Sequence, residues 1–242
     1  MRTGPTFRQV ADLLIESVAP TRCVVCEQPG TLLCERCASQ LVAIDPEAAC
    51  PVCGAPFGRV SCTECMRPDG PLVHAFDSAR ARYVFDDTSS RLVKAFKDEG
   101  ERRLASMIAQ RMVEAAGEKS ISADLAIPIP ATRAALRRRG FDHMALVAEE
   151  FSRLTGVPQR GCLAKSGSRD QRTLSREDRL ANMAGVFAVE SREDATYLKV
   201  AKPRVLLLDD VFTTGATLDS AAAFLKRAGA SHVDVVVLCR VW

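Results

Sequence analysis

Val205-Leu206-Leu207-Leu208-Asp209-Asp210-Val211-Phe212-Thr213-Thr214-Gly215-Ala216-Thr217 decides how this 242-residue chain reads. The aliphatic run Val205–Leu208 has the pattern of a strand covered on both faces. Asp209 and Asp210 then stand at the carboxyl end of that strand, the edge where open α/β sheets bind ligands. Hydroxyl residues and Gly215 follow at once, so backbone N–H groups can converge on an anion without obstruction by side chains. A helix predicted from about Thr217 to Ala228, closed by Gly229, turns its positive end to the same point. Two carboxylates beside a phosphate cradle repel bare phosphate. They suit a sugar phosphate, whose vicinal hydroxyls donate to the acids while the loop holds the phosphate. No Gly-Lys-Ser/Thr loop and no Gly-x-Gly-x-x-Gly after a strand competes with that chemistry.

Outward from this loop, strand and helix patterns alternate. Ala79–Phe85 reads as a strand, and Leu92, Val93 and Phe96 mark a helix from Thr88 or Ser89 to near Gly100. Leu104, Met107, Ile108 and Met112 mark another from Glu101 to Ala116, with Gly117 as its stop. Leu125–Ile129 is a short buried strand leading to Pro130, and Phe141–Thr155 is a helix closed by Gly156. Val186–Val189 and Val233–Cys239 read as further strands. The class is α/β, a mostly parallel sheet with flanking helices. Pro68-Asp69-Gly70-Pro71 is the expected junction, placing this domain at 71–242. An N-terminal helix over 1–21 carries the stripe Phe7, Val10, Ala11, Leu14 and Val18.

The intervening segment, 22–70, is defined by cysteine. Eight of the ten cysteines form four Cys-x-x-Cys pairs, Cys23/Cys26, Cys34/Cys37, Cys50/Cys53 and Cys62/Cys65. Nothing in the sequence points to an oxidising compartment, so a disulfide framework is disfavoured. A thioredoxin-like motif needs one such pair on a βαβ unit. Two Cys-x-x-Cys turns close a tetrahedral thiolate shell, so two structural Zn²⁺ ions are expected, paired consecutively or interleaved.

Hydrophobic residues make up 47% and charged residues 26%, the balance of a globular chain. With no long apolar run, no transmembrane segment is expected; the cytoplasm is the expected location, with a peripheral place at the inner membrane as the variant. Residues 1–75 hold 6 basic and 8 acidic residues, which makes the cysteine segment a poor phosphate grip. Residues 131–181 hold 11 basic and 6 acidic, so a polyanion belongs there. Aromatic residues total only 5%, so no base-stacking platform is evident.

The 13-residue stretch resembles the phosphoribosyl-pyrophosphate motif of type I phosphoribosyltransferases. Ile127-Pro128-Ile129-Pro130, Arg133 and Arg137-Arg138-Arg139-Gly140-Phe141 look like the region after the first core strand of ComF-type proteins. Leu174-Ser175-Arg176, Arg179 and Asn182 match a further run of that family, as do the double zinc ribbon and a helix ending in Lys97 before Gly100. The resemblance implies a double zinc ribbon joined to a type I phosphoribosyltransferase fold, and a role in uptake of single-stranded DNA during natural transformation. It assigns Asp209 and Asp210 to ribose as the catalytic pair, and Thr213, Thr214, Gly215, Ala216 and Thr217 to the 5-phosphate. Arg133 and Lys97 are expected to meet the diphosphate of phosphoribosyl pyrophosphate, with Mg²⁺ bridging diphosphate and ribose in a transferase. Single-stranded DNA and the DNA-uptake machinery are the implied partners. The alternatives are a non-catalytic DNA-binding module and a scaffold docked through its ribbon. Two departures put the acceptor in question: Gly140-Phe141-Asp142-His143 replaces the family's Gly-Phe-Asn-Gln, and Arg169-Asp170-Gln171-Arg172 stands where Pro-Pro-Gln is common. His143 is read as a satisfied or surface histidine rather than a general base. The polar stretch Arg169–Arg179 is read as a lid.

Overall fold

The computed structural model describes residues 20–59, 62–67, 70–165 and 187–242. The N-terminal stripe, the Leu174–Asn182 run and the expected lid lie outside the described residues. Four parallel strands form the central sheet: β3 (Ser78–Val84), β4 (Leu125–Pro128), β7 (Arg204–Phe212) and β8 (His232–Arg240), in the order β3-β8-β7-β4. Two small antiparallel pairs accompany it, β1 (Met66–Arg67) with β2 (Gly70–Pro71), and β5 (Leu163–Lys165) with β6 (Phe187–Val189).

Side chains alternate across a strand, and that alternation assigns each face its helices. Leu206, Leu208, Val236 and Leu238 pack with α2 (Asp87–Lys97), α3 (Leu104–Ile121) and α5 (His143–Thr155) through Leu92, Phe96, Ile108, Met112, Met144 and Phe151. Val205, Leu207, Val233, Val235 and Val237 face α6 (Arg192–Ala201) and α7 (Ala216–Ala228) through Leu198, Leu218, Ala221 and Leu225. The sheet is therefore covered on both sides, as the apolar strands predict.

Several boundaries differ from the sequence expectation. Gly117 (φ 61°) kinks α3 rather than ending it, and helical turns resume to Ile121. Arg133 does not lie in an open loop; it begins α4 (Arg133–Arg139), which Thr132 caps by accepting from Ala135 N. β7 runs on through Asp209 and Asp210 to Phe212, so both acids are strand residues.

The cysteine segment, which includes the short helix α1 (Glu35–Ala38), is not a free appendage. Ile44 N donates to Arg82 O and Val84 N to Val42 O, both at 2.9 Å, so residues 42–44 pair with the outer edge of β3. Ala79 N also donates to Val52 O at 2.9 Å. This satisfies an edge that would otherwise offer unpaired backbone groups. Cys50, Cys53, Ala55, Cys62 and Cys65 join the same buried cluster as Phe76, Ala79 and Val235.

Candidate functional site

The carboxyl ends of the neighbouring strands β4 and β7 open onto a cavity of about 390 Å³. Its lining includes Ile129–Thr132 after β4, Thr213 and Thr217 after β7, both acids, and Lys97, Arg139, His143 and Lys165. Consecutive strand residues point to opposite faces, so the acids are not equivalent. Asp210 shares the side of Leu206 and Leu208 and is 5% exposed. Its Oδ2 accepts from Lys97 Nζ at 2.5 Å and lies 3.1 Å from His143 Nε2. Asp209 is half-buried, and its Oδ1 accepts from Asp210 N at 3.0 Å.

Their electrostatics diverge accordingly. Burial pushes Asp209 up, and the neighbouring Asp210 charge adds to this, to a pKa of about 8. Burial also pushes Asp210 up, but the hydrogen bond from His143 and the charge of Lys97 outweigh it and hold the carboxyl well below the usual range. The pair therefore places its negative charge on Asp210 in preference to Asp209.

Beside the cavity, Gly215 is the N-cap of α7 at φ +80°, in the left-handed region, and no side chain caps this helix. A Cβ at Gly215 would stand 2.7 Å from the Phe212 ring, so glycine is required by both conformation and space. The first-turn N–H groups of such a helix end can receive an anion.

The sequence-selected residues do not all converge. Asp209, Asp210, Thr213, Thr217 and Lys97 line the cavity, whereas Arg133 is exposed on the first turn of α4 and outside the lining. Thr214, Gly215 and Ala216 form the cap of α7 beside it, where Ala216 N donates weakly to Thr214 Oγ1 at 3.4 Å. Lys97 does not stand free for a diphosphate but is paired with Asp210.

Three lining residues escaped the sequence reading. Arg139, grouped there with the basic patch, turns inward to Asp98 at 3.0 Å, while Lys165 ends β5 at the cavity wall. His143, read as a satisfied or surface histidine, is 4% exposed and bonded to Asp210 on one nitrogen only; Nδ1 has no hydrogen-bond partner among the described residues. The departure Asp142-His143 is therefore part of the site. Asp142 caps α5 through Met144 N, and its other oxygen accepts from Ala131 N at 2.8 Å, fixing the loop after β4.

The eight clustered cysteines form two separate groups, Cys23/Cys26/Cys34/Cys37 and Cys50/Cys53/Cys62/Cys65. This is the consecutive pairing; the interleaved one is excluded. Tetrahedral zinc with Zn–S bonds of about 2.3 Å needs sulfurs about 3.8 Å apart. Cys26–Cys34, Cys50–Cys65 and Cys53–Cys62 lie at 3.7, 4.0 and 3.4 Å. Burial raises the Cys23 thiol, but N–H groups of Cys34, Cys26 and Val25 aimed at the sulfur outweigh it and bring it down to about 6. Donor set and spacing fit closed structural zinc sites.

Residues 14–66 match the double zinc ribbon domain, and residues 165–241 match the phosphoribosyl transferase domain. Competence protein F of Haemophilus influenzae is 26% identical over 235 residues, covering 90% of this chain and 96% of the relative. The DNA utilization protein YhgH of Salmonella typhi is 27% identical over 240 residues, covering 91% and 97%. Competence protein ComFC of Streptococcus pneumoniae is 24% identical over 236 residues, covering 90% and 100%. Among solved structures, the chain is similar to a glutamine phosphoribosylpyrophosphate amidotransferase of B. subtilis, at 21% identity and a TM-score of 0.36. That match covers 55% of this chain and 25% of the larger enzyme. Two Cys₄ groups, a parallel sheet with its acid-and-glycine loop, and relatives matched nearly end to end place this chain in the ComF family, a double zinc ribbon joined to a type I phosphoribosyltransferase fold.

Proposed function

We propose that the cavity between β4 and β7 binds phosphoribosyl pyrophosphate or a related sugar phosphate, and that the protein serves DNA uptake or utilisation. One observation carries the ligand class: a pair of strand carboxylates with Thr213 and Thr217 line one cavity of about 390 Å³, and the helix N-terminus led by Gly215 stands beside it. Thr213–Thr217 would hold the 5-phosphate through backbone N–H groups. Asp209 and Asp210 would meet the ribose hydroxyls from two sides of the strand. Because Oδ2 of Asp210 already engages Lys97 and His143, sugar binding at that oxygen requires Lys97 to swing toward the diphosphate. Mg²⁺ would arrive with a diphosphate and offset its charge, since this hard ion is held mainly through phosphate oxygens and water. In a transferase, Asp210 would stabilise positive charge developing at the anomeric carbon. The competence and DNA-utilization names of the relatives support the biological role.

Exposed Arg133, Arg137 and Arg138 on α4 favour a second activity at the same edge, binding of single-stranded DNA through its phosphates. Calorimetric titration of the zinc-loaded protein with ribose 5-phosphate, Mg²⁺–phosphoribosyl pyrophosphate and inorganic phosphate tests the ligand class. Both sugar ligands should bind more tightly than phosphate; equal affinities would remove the sugar from the proposal.

A further inference from the structure

Arg240 is 1% exposed, and a guanidinium at that depth needs compensation, which falls on Nη1 and Nη2 because Nε has no hydrogen-bond partner among the described residues. It stands beside Phe212 in the parallel register of β7 and β8, at the point where β7 turns into the phosphate loop. Its Nη1 donates to Thr213 O at 2.9 Å, to Phe212 O at 3.3 Å and to Val241 O. Its Cζ lies 4.1 Å over the Phe212 ring, the ring whose edge meets Gly215. Nη2 reaches out of the α/β domain to Glu64, which sits between Cys62 and Cys65 of the second Cys₄ group. One buried cation therefore holds the carbonyl that opens the phosphate loop, the ring beneath the loop, and the zinc ribbon.

We propose that Arg240 is a positioning residue that ties the phosphate loop to the second zinc knuckle through Glu64, so that the ribbon sets the loop's shape. Arg240 is outside the cavity lining and acts through Phe212 and the Thr213 carbonyl. A cation limited to charge would not suffice, because three carbonyls and a ring face are engaged by one planar fork. This role presumes that 213–217 cradle a phosphate, as proposed above.

The test compares Glu64→Gln, Arg240→Met, Arg240→Lys and the Glu64→Gln/Arg240→Met double variant in the full zinc-loaded chain. Two readouts are taken: amide hydrogen exchange of residues 212–216, and calorimetric affinity for inorganic phosphate. Zinc content should stay at two per chain in all four. Glu64→Gln and Arg240→Met should each raise loop exchange roughly tenfold and weaken phosphate to a similar degree, as expected when a local opening is favoured. Arg240→Lys should recover only part of this. The double variant should be no worse than Arg240→Met alone, since both changes cut one chain of contacts. Unchanged loop exchange in Glu64→Gln and Arg240→Met overturns the proposal. Should Arg240→Met fail to fold, Glu64→Gln decides, because Glu64 is half exposed and the change keeps its size. A wild-type chain that binds no phosphate would sink the functional reading, while loop exchange would still decide whether the ribbon holds the loop.

Discussion

At the scale of single residues, the place of the loop and its two acids was plain in the sequence, but the inequality of the acids was not. Adjacency in sequence places Asp209 and Asp210 on opposite faces of a strand that runs on to Phe212. Only the packed structure shows that Lys97 and His143 converge on one of them, because those residues are 113 and 67 positions away. A pH dependence follows. Asp209 has a folded pKa raised to about 8, so its contribution is fully present below its unfolded value and is lost as pH rises through 8. Asp209→Asn should therefore gain in melting temperature relative to wild type as pH rises from 5 to 8.5. Asp210 is depressed, so its contribution is present above the unfolded value and is lost only as pH falls through its folded pKa. Asp210→Asn should be destabilising throughout the neutral range. Parallel pH profiles for the two variants would contradict the assignment. Gly215→Val should cost about 1–3 kcal/mol in thermal unfolding and more in phosphate affinity, since it strains φ +80° and strikes Phe212.

Among elements, helices with a long apolar stripe were legible and those without one were not. Leu92, Val93 and Phe96 announced α2, and Leu104, Ile108 and Met112 announced α3. The helix α4 buries none of its residues and α6 buries only Leu198, so periodicity had nothing to display in either. β5 and β6 are three residues each and exist through pairing with one another, which a local pattern cannot show. Gly117 was read as a stop because glycine at a helix end usually is one, yet here the chain leaves and re-enters the helix. Caps offer a direct test at this scale. Asp142→Ala removes the cap of α5 and the acceptor of Ala131 N together. It should lower stability by about 1–2 kcal/mol in denaturant unfolding. Ligand affinity should fall further than in an Asp86→Ala variant, which uncaps α2 at the end away from the cavity.

For the whole molecule, the cysteine spacing foretold two metal sites but not how far the ribbon enters the α/β core. Short range decided the first; contacts between residues 42–55 and β3, remote in sequence, decided the second. Metal analysis of a reduced preparation should find about two zinc ions per chain, and fewer than one would contradict the two Cys₄ groups. Stripping the metal should destabilise more than the ribbon. It should uncover the edge of β3, lower the melting temperature of the α/β domain and raise amide exchange in β3. Exchange confined to residues 22–67 would show instead that the two parts fold independently.

If the paired acids of β7 and the glycine-led cap of α7 together hold one sugar phosphate, the ratio of affinities for ribose 5-phosphate and inorganic phosphate must depend on both acids; calorimetry in wild type, Asp209→Asn and Asp210→Asn measures it. Wild type should prefer the sugar, by roughly tenfold for a charge-assisted hydrogen bond to Asp210 and by less for one to Asp209, whose pKa is raised. Each substitution should shrink that preference, Asp210→Asn also by strengthening phosphate itself, because it removes a repelling charge and frees Lys97. A preference that survives both substitutions would mean that the acids do not hold ribose.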